Sequence, residues 1–233
     1  LLGIGVQDNC AFVLRTPEAL VDELVQEAID AYTVELEVDE NIYEVDGYAK
    51  FKVYKSDLIS DTIRHGEKWE PFLHDVFEKY ITKDSVVIEG GANIGTHTLK
   101  LAQLAKVVHA FEPLNSSFSL LDENLTINGL KNVILKSDGL SDEESTASYA
   151  YINKDNIGGA VLGASGSDIT LTTIDSLNLE RLDFIKLDVE GYEKKAIIGG
   201  LDTIKRCKPV ITLECWDTYP NATLEHAVKE YQF

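Results

Sequence analysis

From Ser85 onward the sequence alternates short apolar runs with longer amphipathic ones, and this rhythm restricts the chain to few architectures. VVIE (86–89), VVHAFE (107–112), NVILKS (132–137), DFIKLDVE (183–190) and PVITLEC (209–215) read as strands, short and rich in β-branched residues. THTLKLAQLA (96–105), SSFSLLDENLTIN (116–128), KKAIIGGLDTI (194–204) and TLEHAVKEY (223–231) carry the helical period, each predicted as one helix. Strands separated by helices do not pair as hairpins. They lie parallel, joined by crossovers that place helices on both faces of the sheet. The chain is therefore predicted to be α/β, built on one mostly parallel sheet. Residues 139–169, rich in Gly, Ser, Asp and Asn, read as a loop or hairpin excursion at the rim of that sheet.

The N-terminal third has a different texture. PEALVDELVQEAIDA (17–31) and residues 70–81 have helical period, and Pro17 suits the first helical position after a Thr16 cap. IYEVDGYAKFKVYK (42–55) alternates around Asp46-Gly47, which signals a hairpin. The expected organisation is an N-terminal extension, residues 1–83, and a core, residues 84–233. Residues 16–83 of the extension would cap the ligand-binding end of the core.

Ligands of open α/β sheets sit beyond the carboxyl ends of the strands, so the residues there are the functional candidates. The first strand runs into GGANIG (90–95), which is neither GxGxxG nor a P-loop. Gly90, Gly91 and Gly95, with Asn93 among them, still allow a backbone to approach a ligand closely. Glu89, just before the loop, would repel a pyrophosphate and attract an ammonium or sulfonium group. The second strand ends in Glu112-Pro113, an acid placed to accept hydrogen bonds from both hydroxyls of a ribose. Asp138-Gly139 follows the third strand, where a carboxylate can accept from an adenine amino group. Three acids at three successive strand ends describe a cationic, adenosine-containing ligand without phosphates. S-adenosylmethionine fits that description.

The segments IEGGANIGTHTLKLA, AFEP and IKLDVEGYE, together with the Asn124/Asn128 pair, resemble the FkbM family of S-adenosylmethionine-dependent methyltransferases. The upstream SDTIRHGEKWEP (60–71) is similar too, so the resemblance spans roughly residues 56–231. Glu89 stands where that family usually has Asp. The resemblance implies a Rossmann-like class I methyltransferase sheet and transfer of a methyl group to oxygen, often a sugar hydroxyl of a glycan or glycosylated product. A deoxysugar such as rhamnose is one candidate acceptor, with the chain as one module of a larger glycan-building enzyme. The alternatives are a methyltransferase acting on another small molecule, a protein or RNA, and a catalytically inactive module that only binds the cofactor. Such folds normally end with an antiparallel hairpin that this chain lacks after residue 231. GIGVQDNCAFVL, within residues 1–15, is expected either to fill that edge of the sheet or to belong to a neighbouring domain.

A sugar hydroxyl is a poor nucleophile until its proton is removed. Asp188 is the first candidate base, with capping of the next helix as its alternative role. Lys186 would pair with Asp188 or polarise the nucleophile, unless it is a surface lysine. Glu190 is expected to support the following helix through its dipole. Glu214 would bind sugar hydroxyls, with Trp216 nearby, and His97 would pack against the donor. His65 is a second candidate base if its segment folds over the pocket, bringing Trp69 and Glu70 onto the donor as part of a lid. Asp188, Glu190 and Glu214 have the chemistry to chelate Mg²⁺ or Mn²⁺, but no HxH or HxxxD pattern accompanies them, and metal-independent activity is expected.

Composition narrows the partners. The net charge of −19 opposes a nucleic-acid substrate, and no cluster of basic residues offsets it. No apolar run is long enough to span a membrane. Three widely spaced cysteines without a CxxC pair fit a reducing, cytoplasmic setting.

Overall fold

The computed structural model describes residues 2–3, 12–13, 37–153, 156–162 and 167–214. The helices expected at 17–31 and 223–231, and Trp216, lie outside these residues. The chain divides into two compact units, Leu1–Glu35 and Leu36–Phe233. In the first, β1 (Leu2–Gly3) and β2 (Phe12–Val13) pair antiparallel, Leu2 opposite Val13. In the second, residues 36–83 share one compact unit with residues 84–233.

The hairpin around Asp46-Gly47 forms as β3 (Tyr43–Val45) and β4 (Ala49–Phe51), with Val45 opposite Ala49. Val45, Ala49 and Phe51 face the core and Glu44 and Lys50 face water, the period-2 pattern of a half-buried pair. Helix α1 (Leu58–Arg64) starts at Asp57, whose carboxylate accepts the Ser60 N–H at 3.0 Å. Helix α2 (Pro71–Tyr80) starts with proline at its first position, where a missing N–H costs nothing.

The core sheet follows: β5 (Val86–Gly90), α3 (Thr98–Leu104), β6 (Val107–Phe111), α4 (Asn115–Ile127) and β7 (Val133–Lys136). After the excursion come β13 (Phe184–Leu187), α5 (Glu193–Ile198), α6 (Leu201–Cys207) and β14 (Val210–Leu213). The five strands are all parallel, in the order β14-β13-β5-β6-β7. The chain leaves β5 in one direction through β6 and β7, then returns to its other side with β13 and β14. The switch point of the topology therefore lies between β5 and β13, where open α/β sheets hold their ligands.

Burial on both faces explains the apolar runs. Val87, Val108, Ala110 and Phe184 pack on one face with α3, α4 and the hairpin, while Ile88, Phe111, Ile185 and Leu187 pack on the other with α5. Alternation along β5 and β13 then sends Glu89 and Lys186 from the same face as Val87 and Phe184, and the two are register partners.

Asn124 and Asn128, one turn apart on α4, hold the edge of β4. Asn124 accepts the Lys52 N–H at 2.7 Å and donates to the Lys52 carbonyl at 3.0 Å. Asn128 does the same with Lys50, at 3.0 and 2.7 Å. Each amide thus stands in for a residue of a neighbouring strand. Asn124 also donates to the carbonyl of Ile94 at 2.9 Å, tying the hairpin to the glycine loop.

One expectation is revised. KKAIIGGLDTI forms two helices, broken at Gly199-Gly200. The chain passes so close to Ser141 that a Cβ on Gly199 would sit 2.0 Å from the Ser141 carbonyl oxygen. The polar excursion at 139–169 takes the hairpin alternative, with further strands around it. β8 (Gly139–Leu140) and β9 (Ser145–Ala147) flank β12 (Ile169–Thr172), and β10 (Tyr149–Asn153) pairs antiparallel with β11 (Asn156–Leu162).

Candidate functional site

A cleft of about 180 Å³ opens at the carboxyl ends of the strands, over the switch point. The glycine loop forms one wall. Gly91 has φ +73, and a Cβ there would lie 1.7 Å from the Asp188 carbonyl oxygen, so only glycine lets the loop cross the end of β13. The Gly91 and Ala92 N–H groups donate to the Phe111 carbonyl, both at 3.0 Å, which seats the loop on β6.

Glu112 is built into the cleft. One carboxylate oxygen accepts the Asn93 N–H at 2.7 Å and the other the Leu114 N–H at 2.8 Å, so the group is held with lone pairs to spare. Burial pushes its pKa up to about 7, against those two bonds. Asn93 adopts φ 49 and lines the cleft, with its buried side-chain oxygen unpartnered among the described residues. Pro113, Asp138, Gly139, Leu140, Phe111 and Tyr149 continue the wall.

At the other end, Lys186 is 4% exposed and its ammonium lies 3.1 Å from Asp188 Oδ2. Burial would lower its pKa, but the carboxylates of Asp188 and Glu89 outweigh that and raise it. Glu70 enters from the start of α2 with φ 42, and burial, then Asp188, pushes it upward. Its Oε2 lies 3.6 Å from His97 Nε2. Burial holds His97 well below the usual imidazole range, so the ring is neutral and this contact is not an ion pair. The carboxylate oxygens of Asp188, Glu190 and Glu214 come within 4.8 Å of one another. Among the described residues, these three acids are the group that could hold a metal ion.

Of the residues proposed from sequence, Glu70, Gly91, Asn93, Glu112, Pro113, Asp138, Gly139, Lys186, Asp188 and Glu214 all line this cleft, with His97 and Trp69. Four do not. Gly90 packs against Leu140, Leu187 and Val189, and Gly95 against Leu121 on α4. Glu89 is fully buried with both oxygens unpartnered among the described residues, and burial pushes it up to about 7. The acid expected to attract the donor's cationic group thus lies buried beside Lys186, its register partner on β13. His65 is exposed at the end of α1, its Nδ1 2.7 Å from the Asp61 carbonyl oxygen, so the helix end holds it away from the cleft.

Glu193 escaped the sequence reading. It is 3% exposed and accepts the N–H of Val189 at 2.9 Å and of Gly191 at 3.1 Å. Glu193, rather than Asp188 or Glu190, therefore satisfies the turn before α5. Its signal was an acid two residues after Gly191. Tyr149 and Ala160 also reach the cleft, from an excursion whose composition carries no code for such a role.

The family described as Methyltransferase FkbM domain matches residues 89–229, more than half of the sequence. This chain belongs to the FkbM methyltransferase family. Its methyl donor is S-adenosylmethionine. The methyltransferase is also similar to "Methyltransferase 1" of Beauveria bassiana (strain ARSEF 2860), with 23% identity over 172 residues, 61% of this chain and 64% of that protein. It thus spans less than two thirds of that relative. Among solved structures, it is similar to an FkbM methyltransferase from Methylobacillus flagellatus (TM-score 0.44, 18% identity, 60% of this chain and 39% of that one). An rRNA methylase from Streptococcus thermophilus is similar as well (TM-score 0.43, 17% identity, 69% and 75%).

The cleft of the methyltransferase suits this donor. Glu112 offers fixed acceptors for hydroxyls, and the glycine crossing at Gly91 leaves room for close contact. Six carboxylates line the cleft against one lysine, a balance that favours a cation. No described helix is long and apolar enough to cross a membrane.

Proposed function

We propose that this domain methylates a hydroxyl of a sugar, on a glycan or glycosylated product, with a deoxysugar such as rhamnose as the preferred acceptor class. The observation that carries the reading is one cleft lined by two sets of groups. Glu112, Asn93, Gly91 and Asp138 would hold the donor. Lys186, Asp188, Glu190, Glu214 and Trp69 line the same cleft and would meet an acceptor. Carboxylates beside an aromatic ring suit a hydroxyl-rich, uncharged ring, because each oxygen accepts from a sugar hydroxyl while the ring covers an apolar face. A polyanion is disfavoured by the net charge of −19.

S-adenosylmethionine supplies an electrophilic methyl group on sulfonium sulfur. The chain's part is positioning, worth about 7–11 kcal/mol of the barrier in favourable cases, and acceptance of the hydroxyl proton. Glu193 fixes the turn carrying Asp188 and Glu190, and Lys186 holds Asp188 in place. The domain is read as one module of a larger glycan-building enzyme, working in the cytoplasm, where an unpaired thiol such as Cys207 is stable.

Incubation with donor labelled in its methyl group and a panel of sugars, amines, peptides and RNA tests the proposal. Label should pass to sugars, rhamnosides foremost. Label found only on RNA, peptide or an amine would overturn it.

A further inference from the structure

We infer that Glu190, not Asp188, takes the proton of the acceptor hydroxyl, an assignment that rests on the methyl-transfer reading above. Asp188, Glu190 and Glu214 converge in the cleft, but they are not equivalent. Asp188 Oδ2 is occupied by the buried Lys186 ammonium at 3.1 Å. A proton arriving on Asp188 would strip a buried cation of its partner, which leaves an uncompensated charge in the interior. Lys186 has Glu89 beside it in register and the Gly91 carbonyl oxygen at 3.5 Å, and neither forms a closer ion pair with it.

Glu190 differs on each count. Its carboxylate makes no hydrogen bond or ion pair with a described residue. The structural duty that could explain it, satisfying the turn before α5, is discharged by Glu193. With that turn held on both sides, Glu190 keeps its left-handed backbone, φ 51, and lines the cleft. The charged and titratable groups facing it are Lys186 from β13, Asp188 from the same turn, Glu193 from α5 and Glu214 after β14. Tyr192 also lines this end. Burial first, then Glu214, Asp188 and Glu193, push Glu190 up to about 7, with Lys186 opposing. Uptake of a proton by Glu190 relieves like-charge repulsion instead of breaking a pair.

The step balances without another reactant. The acceptor O–H bond breaks and its proton passes to the Glu190 carboxylate. The freed oxygen electron pair forms the new O–C bond to the methyl carbon, and the pair of the breaking S–C bond stays on sulfur. Glu190 returns its proton to solvent through the open cleft.

The test compares the full chain with Glu190→Gln and Asp188→Asn in three measurements. Calorimetry with adenosylhomocysteine checks folding and the donor site. Carboxyl ¹³C NMR of glutamate-labelled protein follows Glu190 directly, assigned by its loss in Glu190→Gln. Turnover with methyl α-L-rhamnopyranoside is followed against pH. Glu190 should titrate near 7 and shift downward in Glu214→Gln. Glu190→Gln should keep donor affinity within about threefold while turnover falls about 100-fold or more and no longer rises through neutral pH. Asp188→Asn should keep that rise at a reduced rate. The assignment is overturned if Glu190 titrates in the ordinary carboxyl range, if Glu190→Gln retains wild-type rate and pH profile, or if turnover requires Mg²⁺ bound through Glu190. Should the wild type methylate no sugar, the sugar reading falls, while the NMR titration still decides whether Glu190 is poised to accept a proton.

Discussion

Replacing Gly91 by alanine gives the sharpest test of how the donor loop is built. A Cβ at this position would lie 1.7 Å from the Asp188 carbonyl oxygen, and real Cβ contacts do not fall below 3.0 Å, so the two backbones must part by about 1.3 Å. Neither is free to move. Gly91 and Ala92 are bonded to Phe111, and the Asp188 N–H donates to the Gly90 carbonyl at 3.2 Å. No side chain can rotate to absorb the clash, because the obstructing atom is backbone. The left-handed backbone at φ +73 adds about 1–2 kcal/mol for any residue with a Cβ, and forced overpacking about 1–3 kcal/mol. The sum, about 2–5 kcal/mol, lowers Tm by roughly 4–20 °C for a chain of this size. Parting the loop from β13 also distorts the donor site, and adenosylhomocysteine affinity should fall about tenfold or more, equivalent to about 1.4 kcal/mol. Gly47→Ala is the control. Gly47 has a similar φ, +63, but no atom within 4 Å of its Cβ position. It should cost only the backbone part, about 1–2 kcal/mol, and leave the donor site untouched. Differential scanning calorimetry and ligand titration of both variants decide the matter. Equal losses of Tm and unchanged affinity in both would refute the close-approach argument.

Asn124→Ala removes three hydrogen bonds from a fully buried site and leaves the Lys52 backbone edge open, which should cost about 2–4 kcal/mol in urea unfolding. Because one of those bonds ends on Ile94 in the glycine loop, donor affinity should drop as well, and a purely local loss without effect on binding would contradict the link. Glu89 and Glu112 give the fold a pH dependence of defined sign. Both are raised to about 7 in the folded state against an ordinary value of 4.5, so between those values the folded chain holds more protons and stability falls as pH rises. Glu89→Gln should flatten this decline between pH 5 and 7 and stabilise the chain at pH 8 by about 1–3 kcal/mol, at most the full shift of a buried carboxyl. An unchanged slope of Tm against pH in that variant would show that Glu89 is not the titrating group.

Much of the donor end was legible in the sequence because its residues follow strand ends, and strand ends follow from apolar runs. Glu112, Asp138 and the glycine loop could be placed by counting from VVHAFE, NVILKS and VVIE. Glu89 was placed at the right strand end, and its burial beside Lys186 follows from the pairing of β5 with β13, which the sequence does not show. The excursion at 139–169 read as a loop or a hairpin from its Gly, Ser, Asp and Asn content, and pairing between its strands decides for the hairpin and brings Tyr149 to the cleft. The break at Gly199-Gly200 was hidden for a related reason. Two glycines inside a helical period are tolerated locally, and only the approach of Ser141 turns them into a boundary.

By itself the sequence determined the α/β class, the order of the five core strands, and the preference for a cationic, phosphate-free nucleoside, because these follow from local periodicity and from residue type at strand ends. Tertiary structure alone decided which carboxylates share a space. That Gly91 crosses Asp188, that Glu89 lies beside Lys186, and that Glu70 and Glu214 share a cleft with Asp188 and Glu190 depends on distances between segments far apart in the chain. Register across a sheet sets those distances, and no local pattern encodes them.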